Sequence, residues 1–182
     1  MSIFKTFKTI FAKAGEPRID QLDESLEPMD RRGRTRRDAR EGTRALIIDD
    51  SPTIVAALKK FLRSAGYVTL EAGDAERGIE IARAERPELI FLDIVLPGMN
   101  GFAALRVLRR DPATRDVPII MISGNEQATE QFFGTRIGAD DFMKKPFSRF
   151  EVFARIERLL DGDCVPHRII APPAPSNEPN PA

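Results

Sequence analysis

Residues 88–102 read ELIFLDIVLPGMNGF, and this stretch decides the fold. Leu89 to Leu92 form a four-residue apolar run that ends on an acid, Asp93, and passes through Pro97 and Gly98 into a helical pattern from Gly101. A short apolar run without polar alternation fits a strand buried on both faces, as in parallel sheets covered by helices. Working outward, the same order recurs. LII at 46–48, YVTL at 67–70, IIMI at 119–122 and FM at 142–143 are each followed by a helix signal. Ser51 stands where it can cap a first helix with Pro52 at its first position, and Ile54, Leu58, Phe61, Leu62 and Ala65 share one face before Gly66. Asp74 caps a second helix ending before Pro87, Gly101 to Arg110 makes a third, and a polar fourth covers roughly Asn125 to Ile137 with Gly134 inside. Ser148 and Glu151 form a capping box for the last, whose Val152, Phe153, Ile156, Leu159 and Leu160 face inward. Five strand-then-helix units predict a doubly wound α/β domain, a (βα)5 fold around a five-stranded parallel sheet.

Composition narrows what such a domain can do. The chain has 182 residues, 28 Lys and Arg against 28 Asp and Glu, and 42% hydrophobic residues, which suits one soluble globular domain with tails rather than a disordered chain or a uniformly basic nucleic-acid binder. Cys164 is its single cysteine and His167 its single histidine. An intramolecular disulfide, a multi-cysteine metal site, histidine-ligated zinc and Ser-His-Asp hydrolysis are thereby poor candidates. No apolar run approaches the length of a membrane span. The opening MSIFKTFKTIFAKAG is interrupted by Lys5, Lys8 and Lys13, so it is not a signal-peptide core, and the protein is expected to be cytoplasmic.

The balanced charge is a sum of unlike segments. In residues 1–15, Ile3, Phe4, Phe7, Ile10, Phe11 and Ala14 fall on one third of a helix circumference with the lysines opposite. This predicts an amphipathic helix that lies on an anionic membrane surface, at the inner face of the membrane, or docks in a partner groove; packing on its own domain is the alternative. Residues 16–44 read as a charged, solvated linker: Glu16 to Asp30 holds six acids against Arg18, and Arg31 to Arg44 holds seven arginines against Asp38 and Glu41. Residues 45–160 form the folded domain, and residues 161–182, with six of the fourteen prolines, a disordered tail.

In an open α/β sheet ligands bind outside the carboxyl ends of the strands. The residues there are Asp49 and Asp50 after the first run, Asp93 after the third, Ser123 after the fourth and Lys145 after the fifth. Three carboxylates at one edge repel unless a cation neutralises them, and an all-oxygen cluster with few protein ligands suits Mg²⁺. Lys145 and the Ser123 hydroxyl gain a task if one carboxylate carries a phosphoryl group, the lysine pairing with its oxygens and the hydroxyl donating to one. Asp93 is the natural acceptor, since it stands alone on a central strand and leaves the acid pair for the metal. Singly, each motif is also an ordinary helix start, strand end or turn; jointly, four strand ends carry complementary groups.

The segments IIDDSPTI, FLDIVLPGMNG, IIMISG and GADDFMKKPF resemble the receiver domains of two-component response regulators, CheY-like in size, over Ala45 to Leu160. The resemblance implies a flavodoxin-like sheet of strand order 2-1-3-4-5. It further implies Asp93 as phosphoacceptor, Asp49 and Asp50 as the Mg²⁺ acids, the Val95 carbonyl as a further metal ligand, and Lys145 as the phosphate-pairing lysine. Ser123 takes the place of the switch hydroxyl and Phe142 that of the switch aromatic, and the Lys145–Pro146 bond is expected to be cis. Val95, which cannot hydrogen-bond an attacking water, is expected to favour a longer-lived phosphoryl group. Within single-domain receivers, FFGTRIGADDFMKKPFS is similar to regulators of type IV pilus twitching motility of the PilG and PilH kind.

The resemblance implies a partner histidine kinase or phosphotransfer protein as donor, and no enzymatic activity beyond self-phosphorylation and self-dephosphorylation. The 22 residues after Leu160 are too few and too proline-rich for a DNA-binding domain, so output is expected through contact with a downstream protein, with a phosphorylation-dependent dimer as one form of it. Two other readings stay open. One is an aspartyl-phosphate phosphatase of the haloacid-dehalogenase kind, although Val95 stands where such enzymes place a second acid. The other is a receiver that acts as a scaffold without phosphorylation.

Overall fold

A computed structural model describes residues 36–125 and 138–168. Five parallel strands, β1 (Arg44–Ile48), β2 (Val68–Ala72), β3 (Leu89–Asp93), β4 (Ile119–Ser123) and β5 (Asp141–Lys144), make one sheet in the order β2-β1-β3-β4-β5. Four helices are seen among the described residues: α1 (Pro52–Arg63), α2 (Ala75–Glu85), α3 (Gly101–Arg110) and α4 (Arg149–Arg158). The helix expected over Asn125 to Ile137, the amphipathic helix at 1–15 and most of the tail fall outside the described residues. Among the described residues, no helix is long and apolar enough to cross a membrane.

The central strands are apolar throughout because both faces are covered. Leu46, Ile48, Ile90, Leu92, Met121 and Leu105 pack on the side of α2 and α3. Ala45, Ile47, Phe91, Ile120, Leu58 and Phe153 pack on the side of α1 and α4. Each large side chain buried in this way contributes about 1.5–3 kcal/mol relative to exposure. Gly78 on α2 keeps its layer close to the sheet: a Cβ there would lie 2.5 Å from Ile48 Cδ1.

The caps mostly follow the sequence. Asp74 accepts from the Arg77 N–H at 2.7 Å, Asn100 from Ala103 at 2.9 Å and Ser148 from Glu151 at 3.1 Å. Ser51 corrects one expectation. It occupies the cap position of α1, but its hydroxyl makes no capping bond, and its own N–H donates to Asp49 Oδ1 at 2.9 Å. The acid at the end of β1 thus organises this turn. Glu151 likewise turns its carboxylate to Arg155 at 3.4 Å, so only the serine half of the capping box is seen.

Parts of the stretches expected as solvated linker and tail are packed instead. Ala39 and Thr43 are buried, and the Arg36 guanidinium lies 4.0 Å from the centre of the Phe153 ring. The Arg40 N–H donates to the Cys164 carbonyl at 3.1 Å, and Arg37 Nη2 to the Asp161 carbonyl at 2.5 Å. Residues 36–43 and 161–168 therefore pack on each other and on α4, where a composition of arginines and prolines had pointed to solvated chain. A guanidinium stacked on an aromatic ring buries its stem without needing a large apolar residue.

Candidate functional site

The parallel order gathers the ends of β1, β3, β4 and β5 along one edge. Ile48 lies opposite Leu92 in the β1–β3 register, so the next residues, Asp49 and Asp93, are brought side by side. Asp49, Asp50 and Asp93 offer carboxylate oxygens that all lie within 4.8 Å of one another; Asp49 and Asp93 are buried and Asp50 is exposed. Such crowding of acids is unfavourable without countercharge.

Lys145 supplies part of it. Its N–H donates to the Ser123 carbonyl at 2.8 Å, which extends the β4–β5 ladder past Lys144 and aims the side chain back across the edge. Its Nζ lies 2.7 Å from Asp93 Oδ2, donating to it, and 2.7 Å from Asp49 Oδ2. The bond from Lys145 to Pro146 is cis. The remaining Asp93 oxygen, Oδ1, accepts from the Val95 N–H at 3.1 Å. Burial pushes the Asp93 carboxyl above its ordinary range; Lys145 and the Val95 N–H work against that shift, and the nearby Asp49 adds to it. Burial also works against the Lys145 charge, but the close carboxylates of Asp49 and Asp93 outweigh it and hold the ammonium above its usual range. The site thus favours the charged form of the lysine.

Ser123 is fully buried, and its hydroxyl accepts from the Asn125 N–H at 3.0 Å. Phe142 is 6% exposed and belongs to the apolar cluster on the α2 and α3 side. It pairs in register with Met121, two residues before Ser123, so Ser123 and Phe142 share one face of the sheet. The Val95 side chain is 54% exposed at the mouth. An open cleft lined by Asp50, Pro52, Val55, Ala56 and Gly73 adjoins the acids.

Gly101 is a site residue that sequence reading did not single out. Its N–H donates to the Ile94 carbonyl at 2.9 Å, and a Cβ on it would come 2.1 Å from the Asp93 carbonyl oxygen. The start of α3 is therefore pressed against the backbone of the acceptor strand. The signal available was a glycine directly after an asparagine cap, at a position where any helix former would serve the helix itself.

The donor set fits a hard divalent cation. Three carboxylates face one ammonium, and the buried Asp49 Oδ2, though close to Lys145 Nζ, makes no hydrogen bond of good geometry. Asp49, Asp50 and Asp93 are the residues that would hold it.

A family model described as the response regulator receiver domain matches residues 45–157. Among curated proteins the chain is 38% identical over 119 residues to protein PilH of Pseudomonas aeruginosa, covering 65% of this chain and 98% of that protein. It is also 38% identical over 117 residues to the DNA-binding response regulator MtrA of Mycolicibacterium smegmatis, covering 64% of this chain but only 50% of MtrA, so it spans about half of that relative. Among solved structures, chemotaxis protein CheY4 of Vibrio cholerae aligns with a TM-score of 0.60 and 26% identity, over 65% of this chain and 99% of that one. The receiver domain of a sensor histidine kinase from Pseudomonas aeruginosa, described with magnesium coordinated in its active-site cleft, aligns with a TM-score of 0.59 and 30% identity, over 64% and 95%. By the match over 45–157, and by an acid, hydroxyl and lysine edge on a 2-1-3-4-5 sheet, this chain belongs to the response regulator receiver domain family.

Proposed function

We propose that the chain accepts a phosphoryl group on Asp93 from a histidine kinase or phosphotransfer protein and passes the signal on by contact with a downstream protein. Membership of the receiver family sets it within two-component signalling. The observation that carries the finer reading is the Lys145 ammonium, 2.7 Å from both Asp93 and Asp49, beside a buried hydroxyl and a partly exposed acid trio. In the transfer, an Asp93 carboxylate oxygen attacks phosphorus, the bond from phosphorus to the donor imidazole nitrogen breaks, and the imidazole keeps the electron pair. Lys145, already charged, exchanges a carboxylate partner for phosphoryl oxygens without moving a proton. Bound Mg²⁺, held by Asp49, Asp50 and Asp93 with the Val95 carbonyl, would supply electrostatic neutralisation of the phosphoryl oxygens.

The added charge and acceptor oxygens draw the Ser123 hydroxyl toward Asp93 and leave room beside it on the face it shares with Phe142. That face is the element the signal reads, and the similarity to PilH supports an output in motility or chemotaxis-type control. The apolar Val95 side chain, exposed at the mouth, cannot itself orient a water, which supports a phosphoryl group that persists and disfavours the phosphatase reading.

Incubation with acetyl phosphate and Mg²⁺, followed by intact mass, tests this. Wild type is expected to gain one phosphoryl group and Asp93→Asn none, and Val95→Asn to lose it faster than wild type. No adduct on wild type, or equal uptake by Asp93→Asn, would overturn the assignment.

A further inference from the structure

Beyond the acceptor site, the structure holds an arginine-built fastening at the opposite edge of the sheet, where residues 159–168, past the end of the receiver family match at 157, meet residues within it. After α4 the chain turns back. Asp161 Oδ1 accepts the N–H groups of Asp163 and Val165, both at 2.9 Å, Leu160 bridges Pro166, and the His167 N–H donates to the Leu159 carbonyl at 2.8 Å. These bonds carry Arg168 to the entry of β5. There its Nε donates to Asp140 Oδ1 at 3.1 Å, Nη1 to the Arg115 carbonyl at 3.2 Å and Nη2 to the Gly138 carbonyl at 3.3 Å.

We propose that residues 159–168 are a latch on the entry to β5, with Arg168 as its catch, and that the latch restrains the strand edge that carries Phe142 and Lys145. Three observations carry this. First, the Asp140 side chain is wholly buried and doubly paired: its other oxygen accepts from Arg109 Nη2 at 2.7 Å and from the Ile119 N–H at 2.8 Å. The catch can open without leaving a buried carboxylate unpaired, which separates it from a structural pillar. Secondly, the Gly138 carbonyl is held twice, by Arg109 Nε at 2.8 Å from a core-packed helix and by Arg168 from the strap. Gly138 has φ of +81°, a conformation that favours glycine and makes this the pivot through which the chain enters β5. Thirdly, Asp140 directly precedes β5, so its position sets the register of the strand whose far end places Lys145 against Asp93.

The regulatory half of the proposal rests on the acceptor reading; the mechanical half does not. The test uses the full chain as wild type, Arg168→Ala and Arg168→Lys, reading hydrogen exchange by peptide and phosphoryl uptake from acetyl phosphate. Arg168→Ala is expected to speed exchange across Gly138 to Phe142 on the order of tenfold, the scale of losing charge-assisted bonds, with β1 and β3 unchanged. Uptake is expected to be faster by about fivefold or more, the lower end of ordinary coupling between sites. Arg168→Lys should fall between, since an ammonium can pair with Asp140 but cannot span both carbonyls. Unchanged exchange, or exchange raised equally in all strands, overturns the latch. Locally raised exchange with unchanged uptake overturns its regulatory role. If wild type takes up no phosphoryl group, the acceptor reading fails, and exchange alone still decides whether the latch exists.

Discussion

The Asp93 carboxylate owes its setting to two neighbours of opposite kinds. Lys145 bonds one oxygen through its charge, and Gly101 lets the start of α3 lie against the Asp93 backbone through the side chain it lacks. Gly101→Ala must push either the helix or the acceptor strand away, because the clash is with backbone and no flexible side chain can yield. A loss of about 1–3 kcal/mol is expected, the usual cost of overpacking, together with slower phosphoryl uptake. Urea denaturation and uptake measured on the same preparation check this. A variant with wild-type midpoint and rate would show that this contact does not constrain the acceptor.

Single elements show what a local sequence pattern can and cannot declare. Among the turns, the one after α4 depends on ionisation. Asp161 is held below the ordinary carboxylate range, first by the Val165 N–H; burial opposes the shift, and the Asp163 N–H, His167 and Arg37 add to it. A carboxylate with a depressed folded-state pKa contributes stability above its unfolded value and loses it as pH falls through the folded value. The stability difference between wild type and Asp161→Asn is therefore expected to be flat from about pH 5 to 8 and to shrink on acidification below about pH 4. A difference that does not change over this range would sink the argument. The strands and helices were legible because Leu89 to Leu92 and Ile119 to Ile122 carry no alternation and because Asp74 and Ser148 stand directly before helical periodicity. The turn at Asp161 was not, since a carboxylate that collects two N–H groups looks in sequence like any acid in a proline-rich tail. The packing of residues 36–43 is hidden in the sequence for a related reason: Arg36 rests on a ring 117 positions away, information no local composition holds.

At the scale of the whole molecule, the sheet separates two charged systems. Its carboxyl edge carries an excess of acid, and its amino edge carries the arginine pairs of Asp140. The acid edge was legible as a set because each member follows an apolar run; the arginine network was not, since Arg109, Asp140 and Arg168 follow no shared pattern. A cation that binds only the folded arrangement raises stability by mass action, about 2.7 kcal/mol at a hundredfold excess over its dissociation constant. Thermal melts are expected to shift upward with Mg²⁺ and to lose the shift in Asp49→Ala or on chelation. An equal shift in Asp49→Ala would mean that the cation binds elsewhere.

The pairing of Asp93 with Lys145 spans 52 positions, and Asp49 enters the chain earlier still. At ordinary synthesis rates the ribosome needs roughly 5–20 s to travel from the first of these codons to the last. During that interval the nascent chain displays its acids without their lysine, and strand β5 has yet to join the sheet. A chain truncated before β5 therefore presents no complete acceptor, and competence to receive a signal arrives only with the completed fold.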